Sequence, residues 1–514
     1  MDFKRSSGVL LHVSSLPSLG GIGDLGPAAF EFLDFLVESR QHVWQVLPLC
    51  PTGYGNSPYA GTSAFAGNPL LISLEFLSEW GWIEENRLAH LPGRSGNVDF
   101  AEVEKEKLPL LYEAAGNFLD RGPHEPHMHG QWRLFEEFCE AEADWLADYA
   151  LYAELRRQYE TGNWLEWPEP LCVRNPKALA MITARFGRSL QKEKVLQFAF
   201  AVQWRHLKDE ANKRGIRILG DIAIFVAMDS ADVWVRPGIF ELGEDLRPLR
   251  VAGVPPDYFS ATGQRWGNPL YRWEVLAMRD YDWWVDRIRR AMSLYDILRL
   301  DHFRGFEAYW AIPASEETAV NGTWMPGPGA ALFRSLENAL GKLPIVVEDL
   351  GLITPEVDAL RAELGLPGMK VLQFGFDGPG ARIHLPHQFT PQTVSYTGTH
   401  DNDTVMGWWR TASEMQRGAA EVYLGPTNGR PAWPFIRTNC NSVAQIAIAP
   451  IQDVLELGSE ARMNTPAVAT GNWSWRVPEK VWTQDLADEL AALVELSDRG
   501  NDPLEGLAAP APKS

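Results

Sequence analysis

Cysteine is scarce in this chain, with four among 514 residues: Cys50, Cys139, Cys172 and Cys440. They form no CxxC pair and no ligand-like spacing, which argues against a disulfide framework and against a zinc site. They read as buried or idle thiols in a reducing compartment. Positive charge is also in deficit, 47 Lys and Arg against 67 Asp and Glu, a formal net charge of −20. A nucleic-acid backbone or an anionic membrane surface is bound through clustered basic residues, so neither is expected as a partner, and a neutral substrate suits the charge better. No apolar run approaches the roughly 20 residues that span a bilayer. The amino terminus, MDFKRSSGVLLHVSSLPS, passes from a short apolar stretch into turn-rich sequence, unlike a signal peptide, so the expected location is cytoplasmic. No internal repeat of solenoid period is present. Acidic clusters such as Asp401-Asn402-Asp403 lack EF-hand spacing, and neither a metal nor a cofactor is expected.

What is present is an ordinary core-forming composition, 45% hydrophobic and 22% charged. Short apolar runs bounded by turn residues and separated by helical patterns predict parallel strands buried on both faces. Eight candidates stand out: Gly8–Leu11, Val43–Pro48, Ile216–Phe225, Ile297–His302, Ile345–Leu350, Lys370–Phe374, Val394–Thr399 and a weaker one at Ala467–Gly471. Helical segments such as Ala28–Glu38, Ala331–Leu340 and Pro355–Leu364 lie between several of them. The fold class is therefore α/β, a (β/α)8 TIM-type barrel with a large, mainly helical insertion at the catalytic face, and an open doubly wound sheet is the runner-up. The stretch between the second and third candidates is too long for a simple connection, and Trp132–Phe138, Trp145–Gln158 and Lys192–Arg214 are helical in pattern. The expected organisation is residues 1–60 as the first part of the barrel, 61–215 as the insertion, 216–500 as the remainder and 501–514 as a disordered tail. Val251–Arg272, rich in Pro, Gly and aromatics, reads as a structured loop.

Three candidate strands end in acidic residues: Asp301 after Leu298-Arg299-Leu300, Glu348 after Ile345-Val346-Val347, and Asp401 after Thr399-His400. In a barrel the carboxyl ends of the strands form the active face, so these groups converge on one cleft, although any single one has the alternative reading of a helix cap or surface charge. Side chains two apart on a strand share a face, which puts Arg299 beside Asp301. A fixed cation favours the charged form of a neighbouring carboxylate, as a nucleophile at an anomeric carbon requires, and a structural ion pair is the plainer alternative. Glu348 emerges from an apolar run, a setting that can raise a carboxyl pKa and make it a proton donor. Two carboxyls pushed in opposite directions suit glycosidic bond chemistry. The chain also has 21 Trp. Aromatics in irregular segments, among them Tyr54, Tyr59, Tyr258, Trp266 and Trp473, offer faces that match the C–H faces of sugar rings.

These residues resemble those of the 4-α-glucanotransferases, the amylomaltases or disproportionating enzymes of glycoside hydrolase family 77. The resemblance runs through LLHVSSLPSLGGIGDLG, WQVLPLCPTGYGNSPYAGTSAFAGNPLLI, GDIAIFVAMDSADVW, GVPPDYFSATGQRWGNPLY, LRLDHFRGFEAYW, VVEDLG, YTGTHDNDT and RMNTPAVATGNWSWR, and is less obvious in the helical insertion. It implies a retaining double displacement on α-1,4-glucans and maltooligosaccharides. Asp301 then matches the nucleophile, Glu348 the general acid/base and Asp401 the carboxylate that stabilises the transition state. Arg299, His302 and His400 match residues of the donor sugar subsite, while Asp221 and Tyr59 match residues near the same cleft. Tyr54 matches a position linked in some members to a second, remote glucan-binding site. Gly253–Asp257 matches a flexible lid over the cleft, and Tyr258 and Trp266 in the same loop are aromatics that can cover sugar rings. Val13, Asn56, Ala223 and Ala467 depart from the family's usual Pro, Asp, Pro and Gly, and none of them is a proposed catalytic residue.

Overall fold

Eight short strands run parallel in one sheet: β1 (Ser6–Leu10), β2 (Val43–Gln45), β3 (Arg217–Ile222), β4 (Ile297–Leu300), β5 (Ile345–Val347), β6 (Gly368–Val371), β7 (Thr393–Tyr396) and β8 (Ile446–Pro450). The computed structural model describes residues 3–256 and 260–506 of the chain. The spatial order is β6-β7-β8-β1-β2-β3-β4-β5. The Val347 N–H donates to the Pro367 carbonyl at 3.0 Å, just ahead of β6, and so brings the two edges together as a barrel. Every residue of β1, β2, β4, β5, β7 and β8 is buried, as the continuous apolar runs predict for strands covered on both faces. Helices Pro27–Glu38, Gly329–Leu340 and Pro355–Leu364 pack around the sheet. The first starts on a proline and buries Phe32, Leu33, Phe35 and Leu36, and the last ends on Gly365 in the left-handed conformation.

One expected strand is corrected. Ala467–Gly471 is a loop, with φ of 64° at Ala467 and 82° at Gly471, values that a pleated strand does not adopt. The eighth strand is Ile446–Pro450, hydrogen-bonded between β7 and β1.

Between β2 and β3 the chain builds helices Phe100–Arg121, His129–Ala141, Ala143–Tyr159 and Pro176–Lys213. Buried amides fasten the last of these to the barrel side. Gln197 exchanges hydrogen bonds with the backbone of Gly67 at 2.8 and 2.9 Å, and Gln203 does the same with Ser73 at 2.7 and 3.0 Å. The Trp164 indole donates to the Met228 carbonyl at 2.8 Å and ties the insertion to the segment after β3. Val251–Arg272, expected as a loop, instead supplies two strands of an antiparallel sheet ordered Gln264–Pro269, Arg250–Val254, Ala308–Pro313, Thr323–Pro326. Asp257 and Tyr258 lie outside the described residues. The tail expected from residue 501 is anchored at its start: Asp502 pairs with Arg217 at 2.5 Å, and the Pro503 carbonyl accepts from the Lys4 N–H at 3.0 Å.

Candidate active site

Strand alternation places the first elements of the site. On β4, Leu298 and Leu300 join the hydrophobic core, while Arg299 and Asp301 face the other way. The Arg299 Nη2 lies 2.8 Å from Asp301 Oδ1, and its Nη1 lies 2.6 Å from Asp221 Oδ2. The second contact follows from register, because Asp221 on β3 is the direct ladder partner of Arg299. One guanidinium therefore bridges two carboxylates. Burial pushes the Asp221 carboxyl up to about 7, with Arg299 opposing that rise. Burial works against the charge of Arg299, but Asp221 and Asp301 hold its pKa well above the ordinary value. The Tyr59 hydroxyl donates to Asp221 Oδ2 at 2.8 Å, and its ring stacks on His400 with centroids 5.1 Å apart and planes 14° from parallel.

Glu348 follows β5 directly. Its Oε2 accepts the His302 N–H at 2.8 Å and its Oε1 accepts the Leu350 N–H at 2.7 Å, so two backbone donors fix the carboxyl in place. Burial, reinforced by the negative charge of Asp301, pushes its pKa up to about 8. His302 has a left-handed φ of 51°. Burial lowers its imidazole to about 4, so the ring is neutral near pH 7, and Trp266 meets it edge-on at 4.8 Å. After β7, Asp401 is half-exposed. Its Oδ1 accepts from Asn464 Nδ2 at 2.6 Å and lies 3.4 Å from His400 Nε2, while its carbonyl accepts from Arg462 at 2.7 Å. Burial lowers the pKa of His400.

Several of these groups border a cleft of about 760 Å³. Asp301, Asp401, His400, Tyr59 and Trp266 line it, Asp221 is fully buried behind Arg299, and Glu348 is partly buried. Tyr54, expected to match a position of a remote site, lines this same cleft and is 83% exposed. Sequence reasoning did not single out Asn464 as a partner of Asp401, although its Thr465–Trp473 surroundings stood in a quoted block. Arg156 and Asp229, which also line the cleft, were not singled out either. Among the described residues, no group of three or more His, Cys, Asp or Glu side chains is arranged to hold a metal ion. Among them, too, no helix is long and apolar enough to cross a membrane.

The family model described as 4-alpha-glucanotransferase matches residues 11–482. The chain belongs to the 4-α-glucanotransferase family. The 4-alpha-glucanotransferase of Thermus thermophilus is 46% identical over 507 residues, which are 97% of this chain and 100% of that protein. The amylomaltase from Streptococcus agalactiae, solved in complex with acarbose, superposes with a TM-score of 0.92 at 38% identity, covering 97% of this chain and 100% of that one. The amylomaltase from Corynebacterium glutamicum shares the fold at 18% identity and a TM-score of 0.73, over 97% of this chain and 75% of that one. The chain is thus a glucanotransferase of the amylomaltase type, built on a barrel of eight parallel strands.

Proposed function

We propose that the chain moves a segment of an α-1,4-glucan onto the 4-hydroxyl of another glucan or of glucose by a retaining double displacement, with Asp301 as nucleophile and Glu348 as general acid/base. The observation that carries this reading is the contrast between the two carboxyls. Asp301 lies against the guanidinium of Arg299, while Glu348, a residue past the neighbouring strand, is held protonated near neutrality by burial and by Asp301. In the first half-reaction Asp301 attacks the anomeric carbon, Glu348 gives its proton to the departing 4-oxygen, and the shortened chain leaves. In the second, Glu348 takes the proton of the incoming 4-hydroxyl as that oxygen displaces Asp301. Asp401, steadied by Asn464, faces the positive charge that builds on the ring. His302, His400, Tyr59 and Trp266 supply neutral hydrogen-bonding and stacking surfaces for the sugar. The complex of the Streptococcus agalactiae relative with acarbose supports a saccharide ligand. Four unpaired cysteines accord with a cytoplasmic setting. Incubation of the pure protein with maltotriose tests the reading: glucose plus a ladder of longer maltosaccharides is expected, whereas short sugars alone would identify a hydrolase.

A further inference from the structure

The wall of the cleft contains two opposite charges that the bond-breaking steps do not use. Arg156 comes from the insertion helix Ala143–Tyr159 and Asp229 from the segment after β3, and both line the cleft. Both are half-buried. Among the described residues neither side chain makes a hydrogen bond or an ion pair within 4.0 Å, yet both charges act on the buried Tyr152. Burial raises the Asp229 carboxyl, and the positive charge of Arg156 is the largest influence opposing it. The two border the same cleft at more than ion-pair distance. Their supports are firm: Tyr149 and Tyr152, buried and on the same helix face as Arg156, anchor one side, and the Trp164 indole holds the carbonyl of Met228 next to Asp229 on the other. Arg156 belongs to the insertion and Asp229 to the segment after β3, whereas Asp301, Glu348 and Asp401 follow β4, β5 and β7, so the pair stands on a part of the wall built by other elements.

An unpaired guanidinium and carboxylate on the wall of an open cleft are held by water alone and are free to exchange it for the hydroxyls of a ligand. A sugar hydroxyl both accepts and donates, so adjacent hydroxyls of one glucose unit can take hydrogen bonds from Arg156 and give one to Asp229. Neither an anion nor a cation would satisfy both. We infer that Arg156 and Asp229 form a distal glucose subsite of the cleft, at the junction of the insertion and the barrel, which sets the preference for longer glucan chains. The inference rests on the glucan reading above. Disproportionation of maltotriose by the unaltered protein tests that reading separately, so failure there is distinguishable from failure here.

The test compares kcat/KM for maltotriose, maltopentaose and maltoheptaose in the unaltered protein, Arg156→Met and Asp229→Asn, with thermal unfolding of each variant as a check on folding. The expected result is that the ratio of kcat/KM for maltoheptaose to that for maltotriose falls about tenfold in each variant, the size of one lost charged hydrogen bond. The change should appear in KM more than in kcat. An unchanged ratio, or a loss equal at every length, would overturn the subsite. If a variant does not fold, a crystal structure of Asp301→Asn with maltoheptaose decides the matter: a glucose unit within hydrogen-bond distance of both side chains is expected, and a chain running elsewhere refutes the inference.

Discussion

Replacement of Glu348 by Gln tests the division of labour between the two carboxyls most directly. The side chain keeps its size, and its amide oxygen can still accept one of the two backbone N–H groups that Glu348 binds at 2.8 and 2.7 Å. The other N–H then meets an NH₂ group, so the folded state loses about 1–3 kcal/mol. That loss is tolerable for a core of this size and separable from activity by a denaturation curve. The chemical effect is larger. Burial and the charge of Asp301 raise the pKa of Glu348, so the carboxyl holds its proton near neutrality and is ready to donate. Removal of that proton source is expected to lower kcat on maltotriose by about 10²- to 10⁴-fold, the usual contribution of general acid catalysis. An α-glucosyl fluoride departs without protonation, so its first half-reaction, followed as fluoride released in a burst, is expected to stay within about tenfold of the unaltered protein. Equal losses with the two donors would refute the assignment, because a group needed only to protonate the leaving oxygen cannot matter where no proton is required.

Asp301→Asn is expected to abolish turnover with little change in unfolding temperature, and mass spectrometry of protein trapped with a slow glucosyl donor is expected to find the adduct on Asp301; an adduct on any other residue refutes the nucleophile. The pH profile of kcat/KM for maltotriose is expected to fall as pH rises through about 8, because Glu348 must enter the first step protonated and its raised pKa marks where that form is lost; an alkaline limb that stays in Glu348→Gln with glucosyl fluoride would assign it to another group. Arg299→Met leaves Asp221 buried without its ion pair and is expected to destabilise the fold by about 3–5 kcal/mol, partly recovered by adding Asp221→Asn, as read by urea denaturation. Trp266→Ala opens the cleft beside His302 to water and is expected to raise the ratio of hydrolysis to transfer on maltotriose, measured as reducing ends against glucose; an unchanged ratio would move the exclusion of water to other residues.

Much of the site is legible in one dimension because strands have a period of two. Arg299 and Asp301 had to share a face of β4, and an ion pair of 2.8 Å is the outcome. The end of a parallel strand is also where its carboxyl-terminal residue reaches the active face, which is why Asp301, Glu348 and Asp401 are found around one barrel mouth. The eighth strand was less visible. Ile446–Pro450 contains two alanines and only two branched apolar residues, and its assignment depends on hydrogen bonds to β7 and β1, partners far away in sequence. The hairpin within Val251–Arg272 was hidden for a similar reason, since its Pro and Gly signals mark turns whether or not the flanking segments pair with Ala308–Pro313.

The sequence by itself determined the local terms: strand and helix periodicity, the acidic strand ends, the aromatic supply and the motifs shared with the glucanotransferases. Each of these depends on neighbours a few residues apart. Tertiary structure alone decided the terms that depend on register and on charges from other strands. Asp221 becomes the second partner of Arg299 because the two are opposed across a parallel ladder, 78 residues apart. The apolar run before Glu348 already pointed to burial in the sequence, but the second cause of its raised pKa, the negative charge of Asp301 past the neighbouring strand, exists only in the folded barrel. Arg156 and Asp229 face one cleft for the same reason: one rides on the insertion and the other on the barrel, and only the packing of the two brings the charges to a common wall.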